Sequence, residues 1–149
     1  MKQPHRQCAA VLITNHQNEI LIVQQAYGKK FYAFPGGVVD PGETPPVAAM
    51  REAKEEVGVE VVLNHIIGTY LLKGGGWPDI FATVYTGQII EGTPSTPDPN
   101  EISSVAWYEP DQVPPHLPPD VSAALEDFQV GKRGVVRDVW RTVDMGTPP

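Results

Sequence analysis

The stretch "GGVVDPGETPPVAAMREAKEEVG", residues 36–58, decides how this chain is read. Thr44 ahead of Pro45 and Pro46 predicts a helix start, with a hydroxyl available to an unpaired N–H and two prolines whose missing N–H is harmless in a first turn. Gly58 suits a left-handed stop. At about 100° per residue, Pro46, Met50, Ala53 and Val57 share a narrow sector, the expected face against a sheet. Glu52, Glu55 and Glu56 lie three and four apart and crowd another sector. Like charges at that spacing destabilise a bare helix by about 0.3 kcal/mol per pair, and packing alone asks for no such cluster.

A shared pocket of carboxylate oxygens is the hard ligand set that Mg²⁺ prefers, and a divalent ion converts mutual repulsion into attraction. Gly36 and Gly37, without Cβ atoms, let the preceding loop approach such an ion and offer a carbonyl. Arg51 stands four residues before Glu55 and can also reach back to Glu43 in the loop. The second use is favoured, because a charge-assisted fork there would brace the loop on the helix. Alone, "EAKEE" reads as a solvated helix face and "GG" as a turn. Together, the pattern G-x5-E-x7-R-E-U-x-E-E-x-G-U, with U apolar, is met by Gly37, Glu43, Arg51, Glu52, Ala53, Glu55, Glu56, Gly58 and Val59. Average residue usage supplies its charged and glycine positions on the order of 10⁻⁸ times per starting point.

Working outward, "CAAVLIT" and "EILIVQQAY" around the polar "NHQN" read as a hairpin over residues 7–27, and "FYAFP" as a short strand before a Gly-rich loop. Beyond the helix, "VEVVLNHIIGTYLL", "IFATVYTGQII" and "SSVAWYEP" read as strands. "EGTPSTPDPNE" is a long Pro-rich loop, and "PPDVSAALEDFQVG" a second helix. The tail "RGVVRDVWRTVD" is open between strand and helix, and "MGTPP" is expected to fray. Strands on both sides of one helix, with a second helix late, indicate an α/β fold with a mixed sheet.

The 149 residues suit one domain, 1–149, able to bury roughly 70% of the surface of its unfolded form. A net charge of −7 disfavours a nucleic acid polymer bound through a basic face. The one cysteine, Cys8, sits in an apolar run and reads as a buried thiol, so no intrachain disulfide forms. No long apolar run or signal-peptide pattern is present, which makes no membrane partner and a cytoplasmic location the expectation.

The 23-residue pattern of residues 37–59 resembles the signature of the Nudix hydrolase family, and "FYAFPG" and "EISSVAWYEPDQVP" resemble that family's flanking segments. The resemblance implies an α/β/α sandwich with a loop–helix–loop catalytic element, and a substrate in which a nucleoside diphosphate is linked to another group. It makes Glu52 and Glu56 the leading metal ligands, with Glu55 beside them and the Gly37 carbonyl contributing. Glu43 and Arg51 become the orienting pair. The family's general base is either a glutamate of the signature or one from an outside loop, here Glu101. Mg²⁺, with Mn²⁺ as substitute, is the implied cofactor, and a homodimer is the weaker expectation.

Lys29 and Lys30 are candidates to hold a leaving phosphate. Tyr27, Phe31, Tyr32, Tyr70 and Trp77 are candidates to stack on a base. The loop "KGGGWPD" could be a mobile cover. His5, His16, His65 and His116 show no ligand spacing and receive no role. The expected activity is hydrolysis of a pyrophosphate bond in a nucleoside triphosphate, oxidised or not. The alternatives are ADP-ribose or a nucleotide sugar as substrate and, from another class, a sensor that binds nucleotide without cutting it.

Overall fold

The computed structural model describes residues 6–142. Its elements run β1 (Arg6–Ile13), β2 (Ile20–Gln25), β3 (Tyr32–Ala33), β4 (Gly36–Val38), α1 (Pro45–Val57), β5 (Glu60–Lys73), β6 (Ile80–Glu91), β7 (Ile102–Tyr108), α2 (Pro119–Gln129) and β8 (Val135–Trp140). Five strands form a mixed sheet in the order β4-β1-β6-β5-β8, and three form a second sheet, β3-β2-β7. Within the larger sheet β1 runs parallel to β6 and β8 parallel to β5, while β4 pairs antiparallel with β1 and β5 antiparallel with β6. The tail left open between strand and helix is the edge strand β8. His5 and the expected frayed terminus lie outside the described residues.

The two helices cover opposite faces of the five-stranded sheet, and the alternation of side chains along a strand shows how. Ala9 packs with Ala48 and Ala49 of α1 and is paired across the sheet with Thr83. One residue earlier on β6, Ala82 is paired with Tyr70, whose hydroxyl donates to Asp127 of α2 at 2.8 Å. Neighbours in a strand face opposite ways, so α1 and α2 do too. Among the described residues, no helix is long and apolar enough to cross a membrane.

Residues 7–27 do not form a hairpin. β1 and β2 are joined by a tight turn but belong to different sheets, and only the bridge between Thr14 and Ile20 links them. Both strands are apolar and buried on both faces where they flank the turn, from Val11 to Ile13 and from Ile20 to Val23. A hairpin with one wet face would alternate, whereas strands enclosed on both sides read as continuous apolar runs. Gly36–Val38 is likewise an edge strand, antiparallel to β1, where a loop was expected.

The expected sheet-facing sector of α1 is also displaced. Met50 is exposed and Pro46 only half-buried, while Ala48, Ala49, Glu52, Ala53, Glu56 and Val57 are buried. Small alanines let the helix axis approach β1 and β4 closely, and this turns two of the three glutamates inward. The Thr44 hydroxyl makes no cap bond. With Pro45 and Pro46 at the first two helical positions, two of the N–H groups that a cap would serve do not exist. Gly58 ends the helix in the left-handed conformation, with φ 74°.

Candidate active site

The turn from β4 into α1 places a backbone edge against a row of acids. Gly36 donates its N–H to Glu56 Oε1 at 2.7 Å. At Gly37 a Cβ would stand 2.6 Å from Glu52 Cδ, so only glycine lets strand and carboxylate come this close. Glu101 enters from the loop before β7, held by its own N–H to Asp98 O at 3.0 Å. Among the described residues, Glu52, Glu56 and Glu101 bring carboxylate oxygens within 4.8 Å of one another.

Burial and mutual repulsion both act on this trio. Glu56 is 5% exposed, and burial pushes its carboxyl up to about 8 despite the Gly36 N–H, with Glu52, Glu101 and Glu55 adding to the rise. Burial raises Glu52 as well, against the pull of Arg51. Three carboxylates with so few donors fit a hard divalent cation: the oxygens converge, the glycine edge leaves a carbonyl within approach, and a 2+ charge removes the repulsion.

Arg51 supplies the brace. Its Nε and Nη2 fork onto both Glu43 oxygens at 2.7 and 2.9 Å, and Nη2 also donates to Val38 O at 3.0 Å. The same guanidinium reaches Glu52 at 3.0 Å and Glu55 at 3.1 Å through Nη1, so both partners weighed for it are engaged. Glu43 closes the loop on itself by accepting the Asp40 N–H at 3.0 Å, and the Arg51 fork draws its carboxyl below the usual range. Glu55 is more than half exposed, stands outside the converging trio and rests on Arg51.

Beside the trio opens a cleft of ≈270 Å³ bounded by Gly36, Gly37 and Val38. It continues into one of ≈230 Å³ that adds Lys29 and Phe31, and Cys8, Gln25, Tyr27, Trp77, Pro118 and Asp120 line both. Tyr27 faces the acids closely enough that partial burial, with Glu56 and Glu101 nearby, pushes its phenol up to about 12. Cys8 is half-buried there, its thiol pushed up to about 11 mainly by burial, which leaves it unreactive. A further cavity of ≈430 Å³ lies beyond Lys29 and Phe31, toward His116, and contains none of the carboxylates.

Of the aromatic candidates, Tyr27 and Trp77 line both parts of the cleft and Phe31 lines the outer one, stacked on His116 at 4.5 Å. Tyr70 is no stacking residue: it is completely buried and bonded to Asp127. Tyr32 packs against the core. Lys29 reaches the cleft lining and Lys30 does not. His116, given no role, has Nε2 2.7 Å from the Lys29 carbonyl and so holds the Lys29 loop.

Sequence reasoning missed Asp120. Its carboxylate takes the backbone N–H groups of Asp120 and Val121 at the start of α2, and Oδ1 is buried with no partner among the described residues. Burial raises its carboxyl. In the sequence, "PPD" is indistinguishable from an acidic residue in an ordinary first turn. Arg141 was also missed, lying in the tail whose structure was open.

The profile of the NUDIX domain matches residues 4–128. An RNA pyrophosphohydrolase of Erythrobacter litoralis is 31% identical, the match covering 74% of this chain and 79% of that protein. A putative 8-oxo-dGTP diphosphatase of Bacillus subtilis is 30% identical over 88% of this chain and 85% of its own length. A crystal structure of a MutT NUDIX hydrolase from Burkholderia pseudomallei superimposes with a TM-score of 0.78 at 23% identity, covering 84% of this chain and 98% of that one, a likeness of fold.

Proposed function

The chain belongs to the NUDIX family of hydrolases, and on that premise we propose that it is a Mg²⁺-dependent enzyme that cleaves a pyrophosphate bond of a nucleoside triphosphate. The observation that carries this reading is the trio of Glu52, Glu56 and Glu101, converging at the mouth of a cleft walled by Tyr27 and Trp77. Glu52 and Glu56 would hold the ion, and the carbonyl beside them would be that of Gly36, whose N–H already meets Glu56, because Gly37, expected to supply it, turns its own backbone groups to Ala9 of β1. Glu55 would join from the solvent side by exchanging its contact with Arg51. Bound there, Mg²⁺ (or Mn²⁺) would neutralise the charge of the diphosphate and polarise phosphorus toward attack.

The chain's own residues then divide the work. Arg51 and Glu43 hold the loop on the helix, so that the carboxylates need not reorganise as charge develops. Glu101, the exposed member of the trio, takes the proton of the attacking water. The water oxygen bonds to one phosphorus, the bridging P–O bond breaks, and the departing phosphate carries the released electron pair past Lys29. Tyr27 and Trp77 pack on the base, and Asp120 Oδ1 lacks only the N–H of a base edge. The name carried by the Bacillus subtilis relative, an oxidised purine triphosphate diphosphatase, supports a purine as that base.

A panel of canonical and 8-oxo-purine triphosphates, ADP-ribose, a nucleotide sugar and a 5′-triphosphorylated RNA, each with Mg²⁺ in ¹⁸O-labelled water, tests the reading. Turnover of a triphosphate with label in one product supports it and identifies the phosphorus attacked. Preference for ADP-ribose or RNA would replace the substrate but keep the chemistry. No turnover with either Mg²⁺ or Mn²⁺ would defeat it in favour of a sensor.

A further inference from the structure

The loop from Gly74 to Asp79, which joins β5 to β6, carries Trp77 to the wall of the cleft, yet its composition does nothing to hold it there. Gly74, Gly75 and Gly76 all have positive φ, at 81°, 70° and 79°. Three successive glycines lose more backbone freedom on ordering than any other triplet, so a fixed curl needs an outside anchor.

Arg141, the residue after β8, is that anchor. Its N–H donates to Lys73 O at 2.8 Å and continues the pairing of β8 with β5. The guanidinium then donates through Nη1 to Gly74 O at 2.6 Å and Trp77 O at 3.3 Å, and through Nη2 to Pro78 O at 3.0 Å. Its centre stands 5.9 Å from the Trp77 ring centroid. The fit is close on the other side too, since a Cβ on Gly74 would meet the Trp140 ring at 3.3 Å.

Arg141 is 7% exposed, and burial works against its charge, with Asp120 and Asp79 offsetting this from a distance. A buried cation is a demanding way to close a turn that an uncharged residue could close. What this one adds is a fixed place for Trp77. The expectation of a mobile cover is thereby revised: the loop is fastened by a side chain that lines the same cleft as Trp77.

We propose that Arg141 is a positioning residue for substrate, which acts through the loop it fastens by holding Trp77 against the nucleotide's ring, and so sets KM and ring preference without approaching the reacting atoms. The kinetic part rests on the hydrolase reading above; the fastening itself does not.

The test is a double-mutant cycle between Arg141→Met and Trp77→Ala, with Arg141→Lys as the conservative variant. Arg141→Met is expected to raise KM for the preferred triphosphate roughly tenfold with kcat within about twofold, and Arg141→Lys to recover part of the loss. In the Trp77→Ala background the same change should add less than about twofold, because the group it positions is gone. An equal KM penalty with and without Trp77, or a fall in kcat alone, would overturn the proposal. Hydrogen exchange of the backbone amides of residues 74–77 and 79 needs no substrate. Faster exchange in Arg141→Lys supports the fastening, and unchanged exchange refutes it even if Arg141→Met does not fold. A wild-type protein inactive on every substrate would sink the hydrolase reading and leave the exchange result to decide the fastening.

Discussion

Asp127 on one helix and Glu56 on the other, on opposite faces of one sheet, are both buried acids and are treated in opposite ways. On α2, Asp127 is 1% exposed, and each oxygen has its own donor: the Tyr70 hydroxyl at 2.8 Å on one, Arg137 Nη1 at 2.9 Å on the other. On α1, Glu56 is 5% exposed with one backbone N–H, and Glu52 shares Arg51 with two further glutamates. A buried acid kept for architecture is satisfied from within the chain. One kept beside like charges, with donors withheld, is arranged for a partner from outside.

That contrast can be broken most sharply by replacing one acid on each side. Glu56→Gln is expected to lower kcat about 10³-fold while leaving thermal stability equal or higher, because the amide oxygen can keep the Gly36 N–H and the side chain can no longer ionise in a buried place. Steady-state kinetics and melting curves on one preparation check both halves. Asp127→Ala should do the reverse, costing about 3 kcal/mol in denaturant unfolding by leaving a buried phenol unpaired, with kcat changed less than about threefold. Arg51→Lys comes next: the ammonium cannot fork onto Glu43, and kcat should fall about tenfold with the fold intact.

A smaller effect appears in pH titration without added metal. The Glu56 carboxyl of the folded protein is raised to about 8 from an ordinary 4.5, so between those values the native state binds more protons than the unfolded chain. Stability therefore falls as pH rises through that window, by at most about 1.4 kcal/mol per unit from this group. Saturating Mg²⁺ should flatten the slope, and melting temperatures from pH 5 to 8 with and without it measure the difference. Smallest of all, Glu55→Gln should change kcat less than about tenfold, since this exposed acid stands at the margin of the trio.

Much of α1 was legible because its signals are local. Pro45, Pro46 and Gly58 punctuate the helix within a few residues of their effect, and the Arg51–Glu43 fork joins groups only eight positions apart. What escaped depends on partners distant in sequence. The inward turn of Glu52 and Glu56 follows from alanines meeting β1, and a helical wheel cannot say which face a sheet will take. The parting of β1 and β2 into two sheets depends on β6 and β7, strands more than fifty residues away. Asp120 and Arg141 acquire meaning only when α2 and β8 close over the cleft. Glu101 was proposed from its flanking segment, and its meeting with Glu52 and Glu56 joins positions 45 residues or more apart in the chain.

The Ala26 N–H donates to the Glu101 carbonyl at 2.9 Å, so the segment bearing Tyr27 and Lys29 is stitched to the segment bearing the outermost acid. A ring that sits askew against Tyr27 would tug on that stitch and move Glu101 off its mark. Discrimination exercised at Tyr27, unlike that exercised at Trp77, would then surface in how fast look-alike nucleotides are cut.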